Sequence, residues 1–445
     1  MIIVSAGGVA ISGEPWEMID WNSPVPMYER VMGDWYILPS GWQEAIEAEG
    51  TKSITFINSG SMSGDPAMEL NILYFEKLTG IDIIYEEVGE DDINPKQVAT
   101  LTGRLPHYDL IFLTTFSEPL VDYALQGWVM PIDILWDDQI ASVYSDEMVD
   151  TLVMDGHVYA FPYIGWTPKL HYRDDLLKEA GFDRPPESWD ELVEYAQKLT
   201  VDINGDGQVD RWGFGFHAGD RYSTMMTFGQ LIVSQGGSLL KDGKVAVNTH
   251  EALEALRFLV DLRNRYGVVP PGVNTYGYIQ VPELFAAGKL AMAMGPNWAY
   301  LVIRGSEVYP QYRMAHFPLK DPVGGVDPAA SFFDFSFYGV SQFSEHKAAA
   351  LLFLDFLRSY QARHTETYVE RNVVPNVLVW SAPEVDFTVP WASLLRESTS
   401  QATFWAYENA TQVVDIIHEE IGYALLGQKT PEQALRDAQA RIDRL

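Results

Sequence analysis

The sequence predicts an α/β protein of two lobes, each built on an open, doubly wound sheet. Three observations carry that expectation. A chain of 445 residues is longer than one hydrophobic core organises. Strand-like and helix-like segments alternate from residue 53 onward. No flexible Gly/Ser tether separates two halves, so the lobes are expected to exchange the chain through several crossings. The expected division is an extension over 1–50, one lobe from 51–164 with 336–383, and a second from 165–332 with 388–445.

The elements follow in order. MIIVSAGGVAISG (1–13) is small, apolar and uncharged; it looks like a trimmed or rebuilt secretion signal without its basic region, or else an apolar β-strand. Residues 14–50 are aromatic and Pro-rich and are expected to strap across the main body. SITFIN (53–58) reads as a buried strand ending at the turn residues Ser59 and Gly60. Over 65–79, Met68, Ile72, Phe75 and Leu78 recur at helical spacing behind a capping Asp65 and Pro66, and Gly80 stops the helix. IDIIYEEV (81–88), a further helix, and YDLIFLTT (108–115) complete strand–helix–strand–helix–strand, the rhythm of parallel βαβ units.

HVYAFPYIG (157–165) and KLHYR (169–173) are extended, and DDLLKEAGF (174–182) is a short helix. Ser188 with Glu191 three residues on gives the next helix a capping box. A strand is expected over GFGFHA, an amphipathic helix over 251–266, and a short strand in GKLAMAM. Further helices are expected over 346–361, 401–426 and 430–445, the last capped by Thr430 with Pro431 in its first turn.

Composition narrows the function. Hydrophobic residues make up 47% and charged residues 21%, as in ordinary globular proteins. Lys plus Arg is 30 against 62 Asp plus Glu, a net charge of −32 that repels phosphate backbones and anionic lipid, so neither nucleic acid nor a membrane surface is an expected partner. No uncharged apolar run approaches the ~18 residues of a transmembrane segment. The absence of cysteine excludes disulfides, thiolate catalysis and Cys-ligated metals. GxSxG, HExxH, GxGxxG and P-loop motifs are all missing, and the nine His lack metal-ligand spacing.

The sharpest motif is Asp202-Ile-Asn204-Gly-Asp206-Gly207-Gln208-Val-Asp210. Oxygen-bearing side chains at positions 1, 3, 5 and 9, Gly at 6 and the Gln208 carbonyl suit a structural Ca2+, although the twelfth position is Gly213 and not the bidentate Glu of an EF-hand. A solvated acidic turn is the alternative. A second set comes from the carboxyl ends of the strands, where ligands of open α/β sheets bind: Ser59 and Gly60; Thr114, Thr115 and Phe116; Tyr163 and Trp166; Trp298 and Tyr300. Hydroxyls beside large rings can bond a polyol directionally while covering its C–H face. Asp334 and Phe335 in SFFDFSFYGV, and Arg371 with Asn372, extend the set with an acceptor and donors. Taken singly, core packing or a satisfied turn explains each; their joint placement at strand ends carries the inference.

The order of motifs resembles the extracellular solute-binding proteins of family 1, the binding subunits of carbohydrate ABC importers, from Lys52 to the C-terminus. The matching segments are YDLIFLTTFSEPLVDYALQGWVMPID, HVYAFPYIGWTPKLHYRDDLLKEAG, PPESWDELVEYAQKL, YGVVPPG, LFAAGKLAMAMGPNWAY and GQKTPEQALRDAQARI. The resemblance implies a periplasmic-binding-protein-like type II fold, two α/β lobes closing on a ligand held between them. It places Trp298 on the tryptophan that lines the sugar cleft, and Asp220, Arg221, Tyr222, Ser223 and Thr224 where relatives present aromatic and acidic ligand contacts. It also implies a membrane permease as partner, a periplasmic or cell-surface location, and no enzymatic turnover. Two departures stand out. An Asn is inserted in GPNW, and Phe333-Asp334-Phe335 replaces paired glycines, which would narrow the cleft toward a mono- or disaccharide or a polyol. The expected protein is thus a monomeric sugar- or polyol-binding protein. The competing expectation is a glycoside hydrolase or lyase using two cleft carboxylates.

Overall fold

The computed structural model describes residues 2–4, 10–59, 65–371, 373–389 and 391–445. They form two compact units, Met1–Gly165 with Phe335–Pro390 and Trp166–Asp334 with Trp391–Leu445. The chain therefore passes from one unit to the other after Gly165, after Asp334 and after residue 390.

The first unit is organised by a five-stranded sheet in the order Asp82–Val88, Ser53–Ser59, Leu110–Thr114, Asp334–Val340, Phe161–Trp166. The first three strands are parallel, with helices Pro66–Thr79 and Glu90–Thr102 as the connections that parallel pairing demands. Asp334–Val340 runs antiparallel to Leu110–Thr114, from Ser336 opposite Thr114 to Val340 opposite Leu110, and is buried throughout. Local signals set the helix ends. Asp65 Oδ1 accepts the Met68 amide at 2.9 Å, and Gly80 closes the helix at φ 75°, a left-handed conformation that costs glycine nothing.

Residues 13–50 belong to this unit, with helices Met27–Met32 and Trp42–Glu49. Their anchor is Arg30, fully buried, which pairs with Asp355 and donates to the Trp21 and Ile37 carbonyls at 3.2 and 3.0 Å. Tyr36 and Arg358 complete the cluster on the same carboxylate at 2.7 and 2.6 Å. Removing Asp355 would leave two buried guanidiniums without their carboxylate, at a cost of about 3–5 kcal/mol. At the N-terminus Ile2–Val4 pairs antiparallel with Ala10–Ser12; the residues between them lie outside the described ones.

The second unit carries a three-stranded antiparallel sheet ordered Met292–Pro296, Pro168–Arg173, Tyr312–Ala315. GFGFHA, expected as a strand, lies alongside Met292–Pro296 without regular pairing: Gly213 and Gly215 carbonyls accept from the Met292 and Met294 amides at 3.1 and 2.9 Å. Helix Arg221–Val233 meets strand Pro168–Arg173 and packs with helices His250–Asn264 and Ala410–Leu425, on which Pro431–Ile442 also rests.

Three expectations change in detail. Ser188 caps as expected, accepting the Glu191 amide at 3.1 Å, but the Glu191 carboxylate takes the Glu187 amide at 2.8 Å and Arg184, so the reciprocal half of the box shifts. The helix expected over 346–361 divides into Lys347–Leu357 and Tyr360–Val369, because Ser359 accepts the Ala362 amide and starts a new helix. The helix expected over 401–426 begins only at Ala410; Ala402–Thr403 instead pairs in parallel with Ser331–Phe332, and Trp405 packs on Phe332 with ring centroids 4.7 Å apart. No helix of the described residues is long and apolar enough to cross a membrane.

Candidate ligand-binding site

The second unit contains a small concavity that is open to solvent. Five pieces of chain build it. Pro168 and Pro296 face each other at the end of the strand pair, with Met294 and Gly295 beside them. His217 ends the segment that follows Trp212. The first turns of helix Arg221–Val233 contribute Tyr222, Ser223, Met226 and Thr227, and the loop before helix Gln280–Ala286 contributes Tyr278.

Asp220 holds this assembly in register. It caps its helix, Oδ1 accepting the Ser223 amide at 2.7 Å, while Oδ2 accepts the Ser223 hydroxyl at 2.9 Å and the Tyr278 amide at 3.1 Å. Two glycines let the loops touch: a Cβ on Gly219 would stand 2.3 Å from the Thr275 carbonyl carbon, and one on Gly277 would stand 2.6 Å from Asp220 Oδ2. Hydroxyls in the wall already donate inward, Ser223 to Asp220 and Thr227 to the His217 carbonyl at 2.9 Å. What faces the concavity is mainly the apolar surface of Tyr222, Tyr278, Met226, Met294 and the two prolines. Such a surface can cover the C–H face of a polyhydroxylated ligand. Burial lowers the His217 pKa, so its ring is neutral; Nδ1 lies 2.9 Å from the Gly277 carbonyl.

Of the residues expected from sequence in this unit, Tyr222 lines the concavity and Asp220 anchors it. Trp298, half-buried, stands edge-on to Tyr278 with ring centroids 5.8 Å apart. The extra Asn of GPNW has a role: Asn297 Oδ1 accepts the Thr167 amide at 2.9 Å, and its own amide donates to the Thr167 carbonyl at 3.0 Å. Tyr300 turns into the packing, its ring 5.8 Å from Trp391. Trp166 is half-buried at a strand end, and Asp334 is fully buried.

In the first unit, most expected residues have internal partners. Thr114 Oγ1 accepts the Ser117 and Glu118 amides at 2.8 and 2.9 Å, and Thr115 Oγ1 accepts the Phe335 amide at 3.2 Å. Phe116 and Phe335 are buried. The Tyr163 hydroxyl lies between Asp65 Oδ2 at 3.0 Å and Glu366 Oε1 at 2.5 Å. A phenol has one proton to give, so one of these contacts is donated by a protonated carboxyl; burial and the neighbouring Asp65 push Glu366 well above the usual carboxylate range. Ser59 is the half-buried last residue of its strand, and Arg371 adopts left-handed backbone at φ 61°. Gly60 and Asn372 lie outside the described residues.

His217, Pro168, Met226, Thr227, Tyr278, Met294, Gly295 and Pro296 were not anticipated. A signal existed in the glycines three residues before Tyr222 in AGDRY and next to Tyr278 in TYGY, which mark loops that approach closely.

The acidic loop closes on its own backbone. Asp202 accepts the Gly205 and Gly207 amides at 2.7 and 2.8 Å, Asn204 the Asp206 amide and Asp206 the Gln208 amide at 2.8 Å each, and Asp210 the Ile203 and Asn204 amides at 2.8 and 3.1 Å. The Gly207 amide leads in holding the Asp202 carboxyl below its usual range. Among the described residues no three His, Cys, Asp or Glu side chains converge to hold a metal ion. The donor atoms, oxygen throughout, are of the type that hard cations take.

Comparison with known proteins places the chain among relatives. The family described as bacterial extracellular solute-binding protein matches residues 40–363. A binding protein of Brucella abortus is 26% identical over 404 residues, covering 88% of this chain and 93% of its own. The mannitol-binding protein of Pseudomonas aeruginosa is 24% identical over 271 residues, covering 59% of this chain and 57% of its own. Among solved structures, a maltose-bound protein of T. maritima matches with a TM-score of 0.76 at 24% identity, covering 88% of this chain and 99% of its own.

Proposed function

The chain belongs to the bacterial extracellular solute-binding proteins and has their type II α/β fold, and from that premise we propose that it captures a small sugar or polyol outside the cytoplasm. It delivers this ligand, as a monomer and without turnover, to the membrane permease of an ABC importer. One observation carries the reading: the concavity in the second unit offers Tyr222 and Tyr278 rings and methionine side chains while its wall hydroxyls donate inward. A C–H face resting on those rings leaves the ligand's own hydroxyls free to bond elsewhere. A relative that binds mannitol is in keeping with such a site.

A thermal-shift screen of sugars and polyols that includes mannitol, ribitol and maltose tests the proposal. At least one compound is expected to raise the melting temperature in a saturable way. Tyr278→Ala and Trp298→Ala are each expected to weaken that compound's binding by about tenfold or more, through loss of ring contact and of the ring that props it. A library without a single stabilising compound overturns the reading, and release of a cleavage product from a glycoside replaces it with an enzymatic one.

For the loop Asp202–Asp210 we propose a structural calcium ion held by Asp202, Asn204, Asp206, Asp210 and the Gln208 carbonyl, on the strength of residue type and spacing.

A further inference from the structure

His217 is 4% exposed and lines the concavity, yet among the described residues only one of its ring nitrogens has a partner. Nδ1 lies 2.9 Å from the Gly277 carbonyl oxygen. A carbonyl only accepts, so Nδ1 carries the proton and Nε2 of the neutral ring carries a lone pair. Nε2 is buried and without a hydrogen-bond partner among the described residues.

Its neighbourhood shows why. A side chain on Gly295 would place its Cβ 3.6 Å from Nε2, so the glycine, itself part of the concavity, leaves the space beside that nitrogen open. The other imidazole beside Gly295, His171, is fully committed: Nε2 faces the Gly295 carbonyl at 3.0 Å and Nδ1 the Tyr312 hydroxyl at 2.9 Å. Ser223 and Thr227 have given their protons to Asp220 and to the His217 carbonyl. Nothing in the immediate wall supplies a donor to His217 Nε2. An unsatisfied buried acceptor is unfavourable, and a ligand donor removes that cost on binding.

We propose that Nε2 of His217 accepts a hydrogen bond from a hydroxyl of the bound ligand, which makes His217 a specificity-determining residue of this site. The inference rests on the sugar or polyol reading and sharpens it. The ligand presents a neutral hydroxyl at the base of the concavity, beside Gly295. A ligand offering only acceptors there, such as a phosphate or carboxylate, meets lone pair against lone pair and is rejected. Burial keeps the imidazole neutral, as the role requires.

Two substitutions separate this role from support of the loop. Asn reproduces a donor near the Nδ1 position and so keeps the bond to Gly277 while removing the acceptor; Gln reaches toward the Nε2 position. With mannitol, ribitol and maltose as probes in isothermal titration, His217→Asn is expected to bind the active probe about tenfold more weakly at unchanged melting temperature. His217→Gln is expected to recover part of that loss. In the wild-type protein the 15N resonance of His217 Nε2 is expected to move upfield at saturation, whereas Nδ1 stays. Wild-type affinity in His217→Asn, or an Nε2 resonance unmoved by a ligand that binds, overturns the proposal. Should His217→Asn fold poorly, the wild-type resonance alone decides. If none of the probes nor the wider library binds the wild type, the functional reading falls first and takes this inference with it.

Discussion

Lys169 shows how burial changes a residue that sequence presents as ordinary. It sits fully buried on strand Pro168–Arg173, and its ammonium donates to two hydroxyls, Ser331 at 2.6 Å and Thr167 at 3.4 Å. Burial pushes its pKa down to about 7. The unfolded chain titrates near the ordinary lysine value, so between about pH 7 and 10.4 the unfolded state binds more protons and stability rises with pH. Below that window both states are protonated, and the folded protein carries the whole cost of a buried ammonium. Lys169→Met is therefore expected to raise the melting temperature by several degrees at pH 6 and by much less at pH 10. A difference between variant and wild type that does not vary with pH would show that the lysine is not the cause. KLHYR reads from sequence only as an extended segment; the strand is in fact buried on both sides as far as His171. His217 escaped notice for a related reason: a lone histidine in GFGFHA has no local pattern, and its meaning comes from Gly277 and Gly295, far away in sequence.

At the level of elements, what sequence makes legible is what neighbours along the chain decide. Asp65, Ser188 and Thr430 each cap the helix assigned to them, and Thr430 with Gln433 forms a complete reciprocal box. The late start at Ala410 was missed because tertiary pairing, of Ala402–Thr403 with Ser331–Phe332, outweighs local propensity, whereas the break at Ser359 is a local cap set inside an apolar run that reads as one helix. The loop after helix Trp189–Leu199 joins both cases. Its spacing is that of a calcium loop except at Gly213, and the fold explains the exception: a Cβ there would lie 1.9 Å from the Ala196 carbonyl oxygen. Gly213→Glu, which restores the ligand type of an EF-hand at position twelve, is thus expected to destabilise the second unit and not to tighten calcium; a melting temperature at or above wild type would refute the steric account. Chelation is the companion measurement. With calcium bound in the folded state alone, EDTA lowers the melting temperature and excess Ca2+ restores it. A melting temperature indifferent to both leaves the loop as a turn closed by its own amides.

For the molecule as a whole, the α/β alternation and the motif order identified the fold, whereas the site was legible only in part. Tyr222 and Asp220 come from the resemblance, Trp298 from the strand ends and the resemblance together, and all three fall at or beside the concavity; Tyr278, Met226 and Pro168 converge there from separate segments that no local pattern connects. Charge is the property that only the whole molecule has. Acids outnumber bases by 32, so even complete pairing leaves that many carboxylates without a cation. Exposed ion pairs such as Arg184–Glu191 and Arg257–Glu432 are each worth about 0–1 kcal/mol and weaken with salt, while the self-repulsion of the excess acids weakens with it too. With an excess this large, repulsion is the greater term, and salt is expected to stabilise the protein. The rise in melting temperature should be steepest from about 10 to about 100 mM NaCl, where the screening length falls from about 30 to about 10 Å, and should then level off. A melting temperature that falls over this range would mean that the ion pairs dominate. A rise that continues linearly beyond it would point to exclusion of salt from the surface and not to relief of repulsion.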